Sequence, residues 1–191
     1  MTKKTISKCN VVEEKGTLFT LSSNGTSTFG FITSETGLLP APIKLELGNL
    51  KIGRIHMEIR HGEQIIGAGF KSIEAFVEFV AKNYRRILEG KRHGKRNRTY
   101  MLQVIRYYSN TLYVELVEEK GFWRVNSGGI FRDSYGKNKK VVWSASEVQN
   151  QQSVADNTLL AGNLTDNTPA TNGTVSQPST DKDNGLKEEN K

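Results

Sequence analysis

The sequence predicts an α+β protein. Short N-terminal strands and one long amphipathic helix pack on a four-stranded antiparallel β-meander, and a disordered C-terminal tail follows. Three observations predict it. Apolar residues recur at three- and four-residue steps between 71 and 90, where Ile73, Phe76, Val77, Val80, Tyr84, Ile87 and Leu88 make one stripe. From Thr99 onward the period falls to two, in segments rich in aromatic and β-branched residues. From Gln149 to Lys191 there is no aromatic residue at all.

Taken in order, residues 1–27 form an N-terminal extension, partly ordered, with a strand at Thr17–Leu21 and a turn-rich loop at Ser22–Ser27. Thr28–Thr33 and Ile43–Leu47 read as short strands, punctuated by Gly37 and by the prolines of Pro40-Ala41-Pro42. The helix over 71–90 has Ser72 as its N-cap, Glu74 at the positive end of the helix dipole and Gly90 as its stop. The meander follows: Thr99–Tyr107, a turn at Ser109-Asn110, Thr111–Val117, a turn at Glu119-Lys120-Gly121, then Phe122–Ser127 and Lys140–Ser144. Gly128-Gly129 weakens or bulges the third strand, or lets another backbone come close. Residues 28–147 are thus the expected domain. Residues 148–191, dominated by Asn, Thr, Asp, Ser and Gly, bury too little apolar surface to offset their backbone entropy and read as a low-complexity tail or linker.

Charge narrows the partners. The chain of 191 residues carries +7 overall. Its last 41 residues hold three basic and six acidic side chains, so residues 1–150 carry +10. A domain this basic favours a polyanion through counterion release and steering. RNA, DNA and an anionic membrane surface all satisfy that criterion. Basic residues concentrate in two windows. Lys82–Arg98 has eight Lys and Arg against Glu89, and Lys120–Lys140 has six against Asp133. The first centres on a loop with Arg92, Lys95 and Arg96; the second contains Lys137 and Lys139 beside Tyr135, whose polar surroundings suit it to stack on a base. No run approaches the ~20 apolar residues of a membrane span, so no membrane is expected. Cys9 is the one cysteine, which excludes an internal disulfide and a two-cysteine zinc site and fits a reducing compartment.

The most informative stretch is Gly53-Arg54-Ile55-His56-Met57-Glu58-Ile59-Arg60-His61-Gly62. Two of the three histidines lie there, with an arginine against the second. Histidine exchanges protons near neutrality, its ordinary pKa being about 6.5. Beside a fixed cation in a basic chain, such a pair suits proton transfer on a phosphate; equally, His56 between Ile55 and Met57 suits a core-lining role. Other chemistries find no footing. There is no His-x-x-x-His, no His-Glu-x-x-His, no clustered acids at metal-ligand spacing, no Walker loop and no Gly-x-Ser-x-Gly elbow. Metal-free cleavage of RNA remains. There the 2′-hydroxyl is the nucleophile, and the protein supplies a base, an acid and positive charge for the phosphorus centre. No cofactor is expected.

These residues resemble the phage and mobile-element branch of the barnase–EndoU–colicin–RelE-like nucleases, domains found in large polyvalent proteins. The likeness spans roughly 28–145 and is carried by Phe29-Gly30-Phe31-Ile32-Thr33 with Pro42-Ile43-Lys44-Leu45, by Arg54 to Ile65, by Phe76 to Tyr84, and by Trp123 to Arg132. Met57-Glu58 departs from the more usual Ile-Glu pair. The resemblance implies a helix-then-meander fold and a metal-independent endoribonuclease that leaves a 2′,3′-cyclic phosphate. It implies His61 as the first candidate acid or base, His56 as the second, Arg60 as a phosphate ligand, and Asn126 and Ser127 as donors to the phosphate or a base edge. It further implies RNA (or DNA) as substrate, gripped by Tyr135, Lys137 and Lys139, with an immunity- or antitoxin-like protein as a possible partner and a bacterial cytoplasm as the site of action. A non-catalytic RNA- or DNA-binding module is the alternative.

Overall fold

The computed structural model describes residues 6–93, 97–105 and 107–145, the side chains of 92, 93 and 97 excepted. The tail expected at 148–191, Lys95, Arg96 and the side chain of Arg92 lie outside the described residues.

The architecture is α+β. A small hairpin of β1 (Val11–Glu14) and β2 (Thr17–Thr20) precedes β3 (Thr28–Ile32), β4 (Ala41–Lys44), α1 (Gly53–Gly67), α2 (Ile73–Asn83), β5 (Arg86–His93), β6 (Asn97–Ile105), β7 (Ser109–Val117), β8 (Phe122–Phe131) and β9 (Val141–Ser144). Strands β3 to β9 form one mixed sheet in the order β3-β4-β8-β7-β6-β5-β9, with β4 and β8 parallel. The hairpin joins it through Thr20 N–H to Leu45 O and Leu47 N–H to Leu18 O, and Phe19 meets Phe122 edge-on. No helix among the described residues is long and apolar enough to cross a membrane.

The amphipathic helix is shorter than its pattern. Ser72 caps α2 by accepting from Ala75 N–H at 3.1 Å, as its sequence predicts. But Tyr84 leaves the helical region at φ −59°, ψ 140°, and Arg86–His93 continues as a strand. The apparent stripe persists because Ile87 and Leu88 are both fully buried. In a strand covered on both faces, successive apolar residues face opposite ways. Ile87 joins the core under the helices. Leu88 lies under the loop after β8, where a methyl group on Gly136 would come within 2.6 Å of its Cδ1.

The meander needs a second correction. Strands β6, β7 and β8 are consecutive antiparallel neighbours, but β9 pairs with β5 at the far side. Residues 132–140 cross over the sheet to reach it. Gln103, fully buried on β6, donates to Tyr135 O at 3.3 Å and to Ser109 Oγ at 2.9 Å, and its Oε1 accepts from Arg86 Nη2 at 2.8 Å. A satisfied buried amide thus fixes the crossover against the sheet.

Helix α1 is the element the sequence hides. It has no side-chain N-cap and no acid in its first turn, and it opens with Gly53 at φ +79°. Its orphan N–H groups are met by backbone instead: Arg54 N–H donates to Glu46 O and Ile55 N–H to Leu47 O. β4 pairs with β8 at Ile43–Trp123 and Lys44–Arg124 and no further. Helix α1 takes up the remaining edge of β8, where Gln64 donates to Ile130 O and accepts from Ile130 N–H. Gly128 and Gly129 permit the approach. A methyl on Gly128 would lie 3.0 Å from Met57 Cε, and one on Gly129 3.1 Å from His61 Nδ1.

Arg54 holds α1 from its other side. Its side chain is 1 % exposed. It pairs with Glu58, donates to Glu74 Oε1 of α2 at 2.8 Å, and donates to Ser7 Oγ at 2.7 Å. Glu58 also accepts from Ser7 N–H at 2.8 Å. Arg54→Ala leaves two carboxylates facing one another in a poorly solvated site, and should cost about 3–5 kcal/mol of folding free energy. Urea denaturation of the two proteins measures this; a change below ~1 kcal/mol would show that the network is solvated.

Candidate nucleic-acid interface

The sheet has a helix face and a second face. Leu112, Val114 and Val125 belong to the core under α1 and α2. By strand alternation, Thr111, Tyr113 and Glu115 point the other way. Opposite Tyr113–Val114 the register shifts, Tyr113 pairing with Ser127 and Val114 with Val125, so Asn126 is the extra residue of a bulge. Bulges redirect side chains locally. The crossover of residues 132–140 lies over this second face and makes a cleft of about 420 Å³ there, lined by Lys51, Gly90, Lys91, Thr99, Tyr113, Asn126, Ser127, Tyr135 and Lys139 among others.

Four of the sequence-predicted residues therefore meet in one cleft: Asn126, Ser127, Tyr135 and Lys139. Tyr135 is fixed twice. Its ring stacks on Phe131 at 4.2 Å with planes 15° apart, and its hydroxyl pairs with that of Tyr113. Burial, and then the neighbouring Tyr135, push the Tyr113 phenol well above its ordinary value, so it stays neutral. Asn126 is partly committed: its Nδ2 donates to Glu115 Oε2 at 2.7 Å and its Oδ1 accepts from Arg124 Nε at 3.1 Å. One amide proton remains for a ligand.

The histidines form an adjoining corner. His61 and His56 rings stand 6.3 Å apart, edge to face. His61 rests on the Gly129 backbone, and its ring lies 6.3 Å from that of Phe131. Phe131, stacked on Tyr135, thus separates the imidazole corner from the cleft. His56 Nδ1 is 2.9 Å from Leu50 O, which ties it to the loop that carries Lys51. That bond makes Nδ1 the protonated nitrogen, since a carbonyl only accepts.

Arg60 is exposed on α1, close enough to act electrostatically on His61. Glu58, on the same helix, is taken by Arg54. Lys137 is exposed on the crossover and does not line the cleft. Sequence reading missed Lys51, Thr99 and Tyr113 as site residues and had Lys91 only as a member of the basic window 82–98. Lys91 and Thr99 come together through the β5–β6 pairing, and Lys51 through the α1 lead-in; local pattern signals neither. Two other hollows are larger, about 540 and 680 Å³. They contain Glu58 and Glu63, and Glu35, respectively, and none of the expected site residues.

Burial, then the charges of His56 and Arg60, lower the His61 pKa below the ordinary histidine value. The folded protein therefore prefers His61 neutral, and its pH linkage has one sign. Above about pH 6.5 the group is neutral in both states. As pH falls below that, the unfolded chain takes the proton first, and stability drops until pH passes the folded pKa. NMR titration should show His61 below the ordinary value and shifted up in Arg60→Ala, and His61→Gln should lose less stability on acidification than wild type. A His61 pKa at or above 6.5 would contradict the geometry.

Comparison with family models, with curated proteins and with solved structures returns no match.

Proposed function

We propose that this protein binds RNA on the second face of its sheet and cleaves it without a metal, as an endoribonuclease of the barnase–EndoU–colicin–RelE-like type. One observation carries the reading. Asn126, Ser127, Tyr135 and Lys139, distant in sequence from the histidine motif, line a lysine-rich cleft one aromatic ring away from His56 and His61.

The chemistry follows from the groups present. Neutral His61 accepts the proton of a ribose 2′-hydroxyl as that oxygen attacks the adjacent phosphorus. The P–O5′ bond breaks, leaving a 2′,3′-cyclic phosphate, and a protonated group returns a proton to the departing 5′-oxygen. His56 is the candidate for that second role. Arg60, close enough to His61 to act on it electrostatically, is the candidate to offset the negative charge that grows on the phosphorus oxygens. A second reading, RNA binding without cleavage, is favoured by one feature: His61 packs against Gly129 and Phe131, which lie beside the cleft wall.

Incubation with RNA in excess EDTA, followed by end-group analysis, separates them. Cleavage is expected to produce 2′,3′-cyclic ends with a bell-shaped pH dependence, and His61→Ala should slow it by about 10²–10⁴-fold. RNA retention with no new cyclic ends at any enzyme concentration would overturn the catalytic reading and leave the binding module. Undiminished cleavage by His61→Ala would remove His61 from the site.

A further inference from the structure

We propose that the cleft under the 132–140 crossover is a phosphate pocket, built by Thr99, Lys51, Lys91, Lys139 and the Tyr113–Tyr135 pair, and that it holds a backbone phosphate of the RNA and not a base. The polymer rests on the function proposed above; the phosphate chemistry follows from the cleft alone.

Lys51, Lys91 and Lys139 all line the cleft, and no Asp or Glu does. None of the three forms an ion pair among the described residues, whereas neighbouring Arg98 and Lys140 both engage Glu89. The nearest buried acid on this face, Glu115, is already held by Arg124 and Asn126. Three lysines around one hollow, with no carboxylate in its lining, give it a positive potential that suits an anion.

Thr99 is 5 % exposed and lines the cleft, yet its Oγ1 is the one buried side-chain polar atom without a hydrogen-bond partner among the described residues. An unmet buried hydroxyl is costly, and native proteins normally satisfy it. Thr99 sits against Gly90, at a break in the β5–β6 register; a side chain at Gly90 would lie 2.5 Å from Thr99 O. Gly90 and Thr99 line the cleft side by side, so the orphan hydroxyl lies just beneath its floor.

Tyr113 and Tyr135 share one hydrogen bond between their hydroxyls. One proton is used in it, so one phenolic O–H is left over, on whichever ring accepts. Donors predominate in this lining, whereas a base edge presents both donors and acceptors. A phosphate presents acceptors alone, which is the better complement. The volume, about 420 Å³, lies at the small end of the ~300–1,000 Å³ of ligand pockets.

Calorimetric titration of the full chain at low salt, with inorganic phosphate, with uridine and with a short 2′-O-methyl oligoribonucleotide, tests this. Phosphate should bind and displace the oligoribonucleotide, and uridine should do neither. Lys91→Ala/Lys139→Ala should weaken phosphate about tenfold or more, and Thr99→Val about threefold to tenfold, while Thr99→Ser binds as wild type. Thermal melts check that each variant is folded. Wild-type phosphate affinity in folded Thr99→Val and in the lysine double variant would overturn the pocket, as would displacement by uridine. Phosphate binding without competition by the oligoribonucleotide would overturn RNA as its source. RNA cleavage that persists while these variants bind phosphate normally sinks the pocket alone; phosphate binding without RNA cleavage sinks only the cleavage reading.

Discussion

Everything on the second face depends on how α1 meets the unpaired edge of β8. An open strand edge presents bare N–H and C=O groups and invites association with other chains. Here one glutamine side chain stands in for the missing strand, Gln64 exchanging both hydrogen bonds with Ile130. The helix can lie this close because Gly128 and Gly129 carry no side chains at the contact. The result is a helix that straddles the edge. Met57 enters the core beneath one face, while His61, one turn on, lies against Gly129 near Phe131.

Such a position needs an anchor, and Arg54 provides it. A buried arginine shared by Glu58, Glu74 and Ser7 ties α1 to α2 and to the N-terminal segment. Buried ion pairs contribute little net stability, because desolvation offsets most of the attraction, but breaking one is expensive. The network therefore acts chiefly by penalising other placements of α1. On the opposite side of the molecule's sheet, Gln103 does comparable work for the crossover, holding Tyr135 where its ring meets Phe131. Two buried polar nodes thus set the distance between the imidazole corner and the cleft.

The α+β class, the Ser72 cap and the existence of strands β6 to β8 were legible because each is signalled locally, by period and cap chemistry; the turn expected at Ser109-Asn110 is instead the start of β7, paired on both sides. Helix α1 was not legible. Its caps are carbonyls from residues 46 and 47, its first turn carries Arg54 and His56 at the end where anions are favoured, and glycine occupies positions 53 and 62. The true end of α2 was masked by Ile87 and Leu88, which bury themselves on opposite faces of a strand yet space like a helix. The place of β9 was beyond local reading altogether, since the crossover that carries it is held by side-chain contacts to Gln103. For the site, the family resemblance pointed to Asn126 and Ser127, and residue type and polar surroundings to Tyr135 and Lys139. Lys51, Lys91 and Thr99 carry no motif and become visible only when strands pair.

The second face thus presents two neighbouring chemistries, a pair of imidazoles and a cationic cleft, joined through Phe131. The central claim is that nucleic acid occupies both. Amide NMR mapping of a non-cleavable 2′-O-methyl RNA tests it most directly. The account predicts that the perturbed signals cluster at His61, Gly129, Ser127, Tyr135 and Lys139. Perturbations confined to the hollow at Phe31, Tyr84 and Trp143, or spread without focus over the surface, would contradict it.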